Sequence, residues 1–133
     1  MPWTSSGGFT RPGVEPWLPT GDPSACNVAN EREDPGSVLN LCRDLIALRR
    51  ARPDLSLGSF EALGAPEGVW AWRRGKGTLV AVNASDTGAE VDLGGGEVLV
   101  GSLRERKGHR GPFALEPWEA VVLEGRPRPG TRV

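Results

Sequence analysis

The sequence lacks several features that mark common classes of protein. It has no apolar run that approaches a membrane span, and its N-terminus has no basic segment followed by an apolar one, as a signal peptide would. It also has no excess of positive charge, because 16 Lys and Arg residues stand against 17 Asp and Glu residues. This balance argues against a nucleic-acid or anionic-membrane partner. Together these absences predict a cytoplasmic protein that binds neither nucleic acid nor membrane.

Side chains that bind metals or act as nucleophiles are also scarce. The two cysteines, Cys26 and Cys42, fit no metal spacing, and without a secretion signal we expect free thiols rather than a disulfide. The single histidine, His109, lies in the basic run 104–110 with no Ser, Cys or acid at a meaningful spacing, which favours a solvated loop. We therefore predict no metal site and no cofactor.

Glycine and proline, in contrast, are abundant, with 19 and 12 of the 133 residues. A chain of this length is enough for one ordinary domain. So high a content of turn-forming residues is typical of an all-β domain.

The first 33 residues are predicted to form one long loop. Gly7 and Gly8 add a flexible joint, and five prolines interrupt any periodic pattern. These prolines are Pro2, Pro12, Pro16, Pro19 and Pro23. A structureless loop of this length inside a compact domain is usually either functional or disordered.

A single long helix is predicted over residues 34–52. Asp34 is a suitable N-cap, Pro35 suits the first helical position, and Pro53 ends the pattern. Apolar residues recur at the spacing of one helix face, which predicts a buried stripe. The stripe consists of Val38, Leu41, Cys42, Leu45 and Leu48.

From residue 57 onward the pattern changes to seven short apolar segments separated by turn residues, which predicts an antiparallel β-sandwich or open barrel. The predicted strands cover residues 58–63, 68–74, 78–85, 89–93, 97–103, 112–115 and 119–124. Alternation along them gives the expected core residues Trp72, Leu79, Ala81, Val98, Val100, Val121 and Leu123. Residues 126–133 are predicted to be a disordered tail.

No segment of the sequence predicts catalysis by itself. The stretch "RGKGT" (74–78) contains part of a phosphate-loop pattern, but it joins two predicted strands and is better explained as a hairpin turn. Carboxylates are scattered, and the nearest local pair is Glu31 and Glu33. Since nothing in the sequence encloses that pair, we predict no catalytic residue.

Three stretches in order resemble a known family. They are "MPW" followed by "GGFT" and "PWLP", then "NVANEREDPGSVLNLCRDLIALRRARPDL", and finally "TLVAVNAS" in a segment that ends "PWEAVVLE". In this order and spacing they resemble the C-terminal part of α-glucosidases of glycoside hydrolase family 13, the α-amylase family, including oligo-1,6-glucosidase-like enzymes. The resemblance extends from Met1 to about Glu124.

The resemblance implies an upstream (β/α)8 barrel, the C-terminal end of which is present here. Residues 1–54 would be the remnant of that catalytic barrel, with the loop 1–33 at the active-site rim and the helix 34–52 as its last helix. Residues 55–125 would be the antiparallel β-sandwich that follows the barrel. Aromatic residues of the loop are then candidates for a substrate rim, namely Trp3, Phe9 and Trp17.

The family's catalytic groups are an Asp nucleophile, a Glu acid/base and a second Asp, all on barrel strands upstream of this loop. No position of this sequence matches those motifs. In the family an Arg commonly precedes Met-Pro-Trp and an Asp often follows it, whereas here the sequence starts at Met1 and Thr4 follows Trp3. The resemblance therefore implies a fragment of an α-glucosidase that is inactive alone and meets an α-glucoside only together with the barrel.

Two other functions remain open. A small β-sandwich can be a carbohydrate-binding module, and Trp70 and Trp72 lie two positions apart on one predicted strand, so that both face the same side. Alternatively, the chain can be a small interaction protein that uses the apolar stripe of the helix 34–52. Without its barrel, that stripe would have to lie on the sandwich, self-associate or stay exposed, and we expect oligomers or poor solubility.

Overall fold

The computed structural model of the chain describes residues 2–8, 10–11 and 13–125, so that Phe9 and the predicted tail 126–133 lie outside the described residues. The chain divides into two compact units, residues 1–44 and residues 45–133. In the described part of the chain, three α-helices precede the strands: α1 (Val28–Glu33), α2 (Val38–Ala51) and α3 (Asp54–Leu57). The boundary between the units falls within the sequence of α2.

The second unit contains the seven predicted strands, in two antiparallel sheets. Five of them form a sheet in the order β1-β2-β3-β7-β5, and the other two, β4 and β6, pair with each other. The strands are β1 (Phe60–Leu63), β2 (Val69–Arg74), β3 (Thr78–Asn83), β4 (Ala89–Val91), β5 (Val98–Gly101), β6 (Phe113–Leu115) and β7 (Ala120–Glu124). The prediction of a mostly β fold with antiparallel strands is confirmed.

The core lies between the two sheets. β4 and β6 contribute Val91 and Leu115, and the rest of the core comes from the facing side of the larger sheet. The contiguous core consists of Ala71, Leu79, Ala81, Val91, Val98, Leu115, Val121 and Leu123. Six of the seven predicted core residues are buried, and the prediction for Trp72 is wrong.

Trp72 is only half-buried because Ala71, its neighbour on β2, faces the core in its place. Since side chains alternate along a strand, Trp70 and Trp72 both lie on the opposite face of the sheet. Val100 is buried, but it lies opposite Val122 on that same outer face and is not part of the contiguous core.

In the first unit, two predictions about helices need correction. Residues within the predicted loop 1–33 form α1, and the long helix begins at Val38 rather than at Asp34. Asp34 instead ends α1, since its N–H donates to the Asn30 carbonyl, and its carboxylate accepts a hydrogen bond from the Gly36 N–H. Ser37 takes the capping position, because its Oγ accepts the Asn40 N–H and its carbonyl accepts the Leu41 N–H.

Within the second unit, the segment that follows α2 is tied to β7 and to the hairpin between β2 and β3. Arg52 donates from Nη2 to Glu124 Oε1 at 2.7 Å, and Asp54 Oδ2 accepts the Gly77 N–H at 2.9 Å. Gly75 has φ +56°, and a Cβ at this position would collide with the Asp54 carboxylate. The glycines of "RGKGT" therefore serve a hairpin turn, as predicted.

A buried ion pair fixes the turn between β6 and β7. Glu119 is fully buried, and its carboxylate meets Arg106 Nε at 2.9 Å and accepts the Glu116 N–H at 2.7 Å. Arg106 belongs to a short 3-10 turn, Arg104–Arg106, inside the basic run that was predicted to be a solvated loop. Trp118 lies next to this pair with φ 60°, a conformation that is rare for a residue with a large side chain.

Candidate functional site

Of the two predicted rim residues that the structure describes, Trp3 and Trp17, Trp3 lines a cavity. Trp3 lines a cavity of about 710 Å³ in the first unit together with Val28, Arg32, Glu33, Leu39 and Arg43. Trp17 is 94% exposed and does not line that cavity, and Phe9 lies outside the described residues. The candidate site is therefore the set of six residues around Trp3.

Trp3 is positioned by its main chain. The Trp3 N–H donates to the Gly7 carbonyl at 2.7 Å, which closes a tight turn. The carbonyls of Pro2 and Trp3 accept the N–H groups of Val28 and Ala29 at 2.9 and 3.1 Å. These are the first N–H groups of α1, which have no partner inside the helix. The carbonyls of the N-terminal segment thus supply the hydrogen-bond acceptors that the first N–H groups of α1 require.

Asn27 completes this end of the helix. It is fully buried, its Oδ1 accepts the Asn30 N–H at 3.0 Å, and its Nδ2 donates to the Pro23 carbonyl at 2.9 Å. An N-cap of this kind typically stabilises a helix by about 1 kcal/mol. Because α1 has only six residues, these caps rather than helix propensity account for its formation.

The other end of α1 is held by α2. Asn40 Nδ2 lies within hydrogen-bonding distance of the carbonyls of Glu31, Arg32 and Asp34, and the Ser37 Oγ donates to the Glu31 carbonyl at 2.7 Å. These contacts satisfy carbonyls that a helix leaves without partners at its C-terminus. They also fix the placement of Arg32 and Glu33 relative to α2.

Glu31, one of the two carboxylates of the predicted local pair, has a structural role. Its Oε2 accepts the Leu39 N–H at the start of α2 at 3.1 Å, and its Oε1 accepts a hydrogen bond from the Cys26 thiol at 3.2 Å. The hydrogen bond to this carboxylate, followed by partial desolvation and the negative charge of Glu31, raises the pKa of Cys26. Both oxygens of Glu31 are therefore engaged, and the cavity contains only Glu33 of the pair.

The cavity combines an aromatic ring with charged groups. Trp3 is about half-exposed, at 54%, so a face or edge of its indole is available to a ligand. Arg32 and Arg43 supply guanidinium donors, Glu33 supplies an acceptor, and Val28 and Leu39 supply apolar contact. This arrangement can bind a sugar ring by stacking and hydrogen bonding. Among the described residues, Glu33 is the one carboxylate that lines this cavity, whereas retaining glycoside hydrolysis uses a pair of carboxyl groups.

Sequence reasoning did not single out Arg32 and Arg43. Both lie on helices, and charged residues on a helix are usually part of a solvated face. Only the packing of α1 beside α2 brings them to Trp3. The one feature of the sequence that could have indicated α1 was Asn27, a suitable N-cap, followed by a short run without proline or glycine.

A second cavity, of about 480 Å³, lies within the N-terminal loop. Its lining is mainly Gly, Pro and hydroxyl-bearing residues, with Arg11 as the charged group. No aromatic side chain of the described residues lines it, so the predicted rim aromatics do not converge on this cavity.

The candidates in the second unit are structural or solvated in the described residues. His109 is exposed, Arg110 forms an ion pair with Glu97, and Arg106 pairs with buried Glu119.

Cys26 and Cys42 are both free, as predicted. Over the described ranges, no group of three His, Cys, Asp or Glu residues is arranged to hold a metal ion. In those same ranges, no helix has both the length and the apolar character to cross a membrane.

Known proteins are similar to this chain in sequence and in fold. No model of a protein family matches the sequence. The chain is 30% identical to an α-glucosidase of Schizosaccharomyces pombe over 93% of its own length, and 31% identical to an α-glucosidase of Pediococcus pentosaceus over the same share. It covers 24% and 23% of those two proteins.

Solved structures with the same fold include the trehalulose synthase of Pseudomonas mesoacidophila and the isomaltulose synthase of Klebsiella sp.. Each is 28% identical to this chain, with a TM-score of 0.75 over 92% of this chain and 24% of the other. The chain thus spans about a quarter of the length of its relatives. These similarities and the ordered stretches from Met-Pro-Trp to Pro-Trp-Glu-Ala show that the chain belongs to glycoside hydrolase family 13, where it corresponds to the C-terminal part of α-glucosidase-type enzymes.

Proposed function

We propose that this chain supplies the last loop, the last helix and the C-terminal β-sandwich of an α-glucosidase-type enzyme. The similarity to two α-glucosidases over 93% of the chain supports this proposal. In this role, the first unit contributes to the rim of the substrate site and the second unit supports it. The domain division at about residue 54 follows from the same proposal.

The chain alone does not hydrolyse glycosides in this proposal. Retaining hydrolysis requires two carboxyl groups about 5–5.5 Å apart, one as nucleophile and the other as acid/base. The observation that carries the proposal is the engagement of Glu31, whose two oxygens accept hydrogen bonds from Cys26 and from the start of α2. Glu33 is then left without the second carboxylate that the reaction requires.

Purified chain incubated with a chromogenic α-glucoside tests this point. We expect no turnover above the buffer blank, even after long incubation. Turnover that disappears in the Glu31→Gln or Glu33→Gln variant would contradict the proposal. Turnover that persists in both variants, and is removed by a further purification step, would indicate a contaminating glucosidase and leave the chain itself inactive.

A chimaeric enzyme, or graft, tests the proposal that this chain supplies the last loop, the last helix and the β-sandwich of an α-glucosidase-type enzyme. In the trehalulose synthase of known structure, the quarter of the chain that matches this fold can be replaced by residues 1–133. We expect a soluble enzyme that retains activity on sucrose, the substrate found in a complex of that synthase. Loss of all activity in the graft, while the parent enzyme made in parallel is active, would count against the proposed function.

The role of the rim rests on Trp3 and can be tested in the same graft. Trp3→Ala should raise the KM severalfold, because a stacking partner for the sugar ring is removed. Trp17→Ala is the matched control, since Trp17 is also an exposed tryptophan of the loop but lies outside the cavity. Equal effects of the two substitutions would contradict the assignment of the site to the Trp3 cavity.

A second candidate function is carbohydrate binding by the β-sandwich itself. Trp70 and Trp72 have ring centroids 4.6 Å apart with an angle of 44° between their planes, and Trp70 is 61% exposed. An exposed aromatic pair can stack on a sugar. Retention of the chain on an immobilised-maltooligosaccharide gel, with loss of retention in the Trp70→Ala/Trp72→Ala variant, would support this second function.

Two further features belong to the proposal. We place the protein in the cytoplasm, which its two free and exposed cysteines support. The prediction that the apolar stripe is buried is wrong, because no residue of α2 is buried. The stripe remains a candidate for self-association, since Val38 is 67% exposed and Leu45 is 38% exposed. Light scattering at several concentrations tests the second point, and a strict monomer would contradict it.

A further inference from the structure

Trp118 is an exposed tryptophan in an unusual backbone conformation. Its side chain is 65% exposed, and its φ of 60° lies in the left-handed region that Gly and Asn adopt most readily. Among the described residues it is the one residue other than glycine with a positive φ. It occupies the third position of the turn Glu116–Glu119, which closes when the Glu119 N–H donates to the Glu116 carbonyl at 3.1 Å. A strained backbone at an exposed aromatic residue points to a function of the side chain.

The fold does not require the ring of Trp118. The turn is fixed from inside, because the buried Glu119 carboxylate accepts the Glu116 N–H at 2.7 Å. Asn83 joins the turn to the loop that follows β3. It is fully buried, and its Nδ2 donates to the carbonyls of Thr87 and Glu116 at 2.8 and 3.0 Å. These buried contacts hold the two segments together without the indole.

The indole is itself held in one orientation. Its Nε1–H donates to Asp86 Oδ1 at 3.0 Å, across the same two segments. Both side chains are exposed, so this bond competes with water and contributes little to the stability of the fold. It does fix the ring of Trp118, which lowers the entropy that is lost when a ligand stacks on the ring.

The groups around the ring suit a sugar. Asp86 is an exposed carboxylate, which can accept further hydrogen bonds from the hydroxyl groups of a ligand, and the exposed Thr87 beside it adds a hydroxyl. The loop 84–88 reads "ASDTG" and contains no large apolar residue, which disfavours an apolar protein partner. The exposed carboxylates of Asp86 and Glu116 disfavour an anionic ligand. An uncharged ligand with one apolar face and many hydroxyl groups fits these surroundings.

The place of Trp118 in the sandwich makes this a site of its own. Trp118 precedes the first residue of β7 by two positions, whereas Arg52 is bound to Glu124 at the last residue of β7. The ring therefore lies at the opposite end of β7 from the segment that follows α2. We propose that Trp118 and Asp86 form a binding site for a chain of α-linked glucose units, in addition to the Trp3 cavity. The α-linkage rests on the proposed function, whereas the sugar follows from the groups around the ring.

Calorimetric titration of the full chain with maltoheptaose tests this site, in a Trp3→Ala background that removes stacking in the Trp3 cavity. Trp118→Gly should weaken binding about tenfold or more. It should keep the melting temperature within about 3 °C, because glycine adopts φ 60° without strain. Trp118→Phe retains a ring and should retain most of the affinity. Trp17→Gly is the matched control, since Trp17 is 94% exposed and should not affect binding. Asp86→Ala is a second variant that leaves the turn intact and should weaken binding severalfold.

The outcomes separate this site from the alternatives. Absence of maltoheptaose binding by the unmodified chain would overturn the inference and leave the proposed function intact. Full affinity in Trp118→Gly, with loss in the Trp70→Ala/Trp72→Ala variant, would also overturn it and assign the sugar to the sheet face. Equal affinity for cellohexaose would contradict the α-linkage. Self-association that is lost in Trp118→Gly, without sugar binding, would assign the ring to a second copy of the chain. An inactive graft together with sugar binding at Trp118 would count against the proposed function alone.

Discussion

The two units of the chain are stabilised in different ways. In the described residues, every buried hydrophobic side chain lies in the second unit, from Ala71 onward. The buried residues of the first unit are polar, Asn27 and Ser37, and both serve helix ends. The second unit therefore has a core that can support independent folding, whereas the first depends on capping hydrogen bonds that contribute about 1 kcal/mol each.

This difference is consistent with the proposed role of each part. A loop at a substrate rim needs defined positions for a few side chains, which a network of hydrogen bonds can supply. A supporting domain needs stability, which comes mainly from apolar burial. If the first unit is designed to be covered by the rest of an enzyme, its shortage of buried apolar residues has a direct explanation.

Removal of core volume gives the largest expected effect and the strongest test of the comparison. Leu79 is 2% exposed at the centre of β3, and Leu79→Ala should lower the free energy of unfolding by about 2–5 kcal/mol. The matched variant Leu41→Ala removes the same atoms from a half-buried position in the first unit, and it should cost about 1 kcal/mol or less. Urea denaturation followed by circular dichroism measures both. Equal losses would contradict the distinction between the units.

The buried ion pair of the second unit should have the next largest effect. Glu119→Gln keeps the shape of the side chain but removes the charge that compensates Arg106, which is 19% exposed. Since Arg106 retains some contact with water, we expect a loss of about 2–4 kcal/mol, at or just below the range for a fully buried pair. Thermal melting of the variant measures it. Glu116→Gln is the control, because its carboxylate lies 4.0 Å from Arg106 and is mostly exposed, and it should have little effect.

A smaller and local effect is expected in the first unit. Asn27→Ala removes the cap of α1 and the hydrogen bond to the Pro23 carbonyl, at a cost of about 1–2 kcal/mol. Hydrogen exchange of the amides of Val28, Ala29 and Asn30 should become faster, and the melting of the second unit should not change. Loss of protection across the strands β2 and β3 would show that the two units do not unfold separately.

The same comparison explains what could be predicted from the sequence. The seven strands were predictable because turn residues separate short apolar segments. All four residues of "VWAW" are apolar, so side chains on both faces of β2 could belong to the core. The sequence therefore could not determine whether Ala71 or Trp72 faces the core. The choice depends on packing between the two sheets, which the local pattern does not contain.

The first unit was less predictable for a related reason. α1 is stabilised by the carbonyls of Pro2 and Trp3, which are far from it along the chain. Asp34 and Ser37 are both suitable N-caps, and only the end of α1 decides between them, because Asp34 is already used there. Trp3 was identified as a candidate from the resemblance, but its neighbours Arg32 and Arg43 required the placement of both helices.

The smallest expected effect is a pH dependence of the second unit. The hydrogen bond and the positive charge of Arg52 hold the pKa of Glu124 below its ordinary value in the folded chain. A carboxyl group whose pKa is depressed on folding contributes stability above its unfolded pKa, about 4.3. That contribution is lost as the pH falls from there through the folded pKa.

Arg52→Met should therefore lower the melting temperature slightly at pH 7 and have progressively less effect as the pH falls below about 4. Arg50→Met is the control, because Arg50 is the neighbouring exposed arginine of α2 and Glu124 is paired with Arg52 instead. A difference between the Arg52 and Arg50 variants that stays constant from pH 7 to pH 3 would show that Arg52 acts through packing rather than through the charge of Glu124.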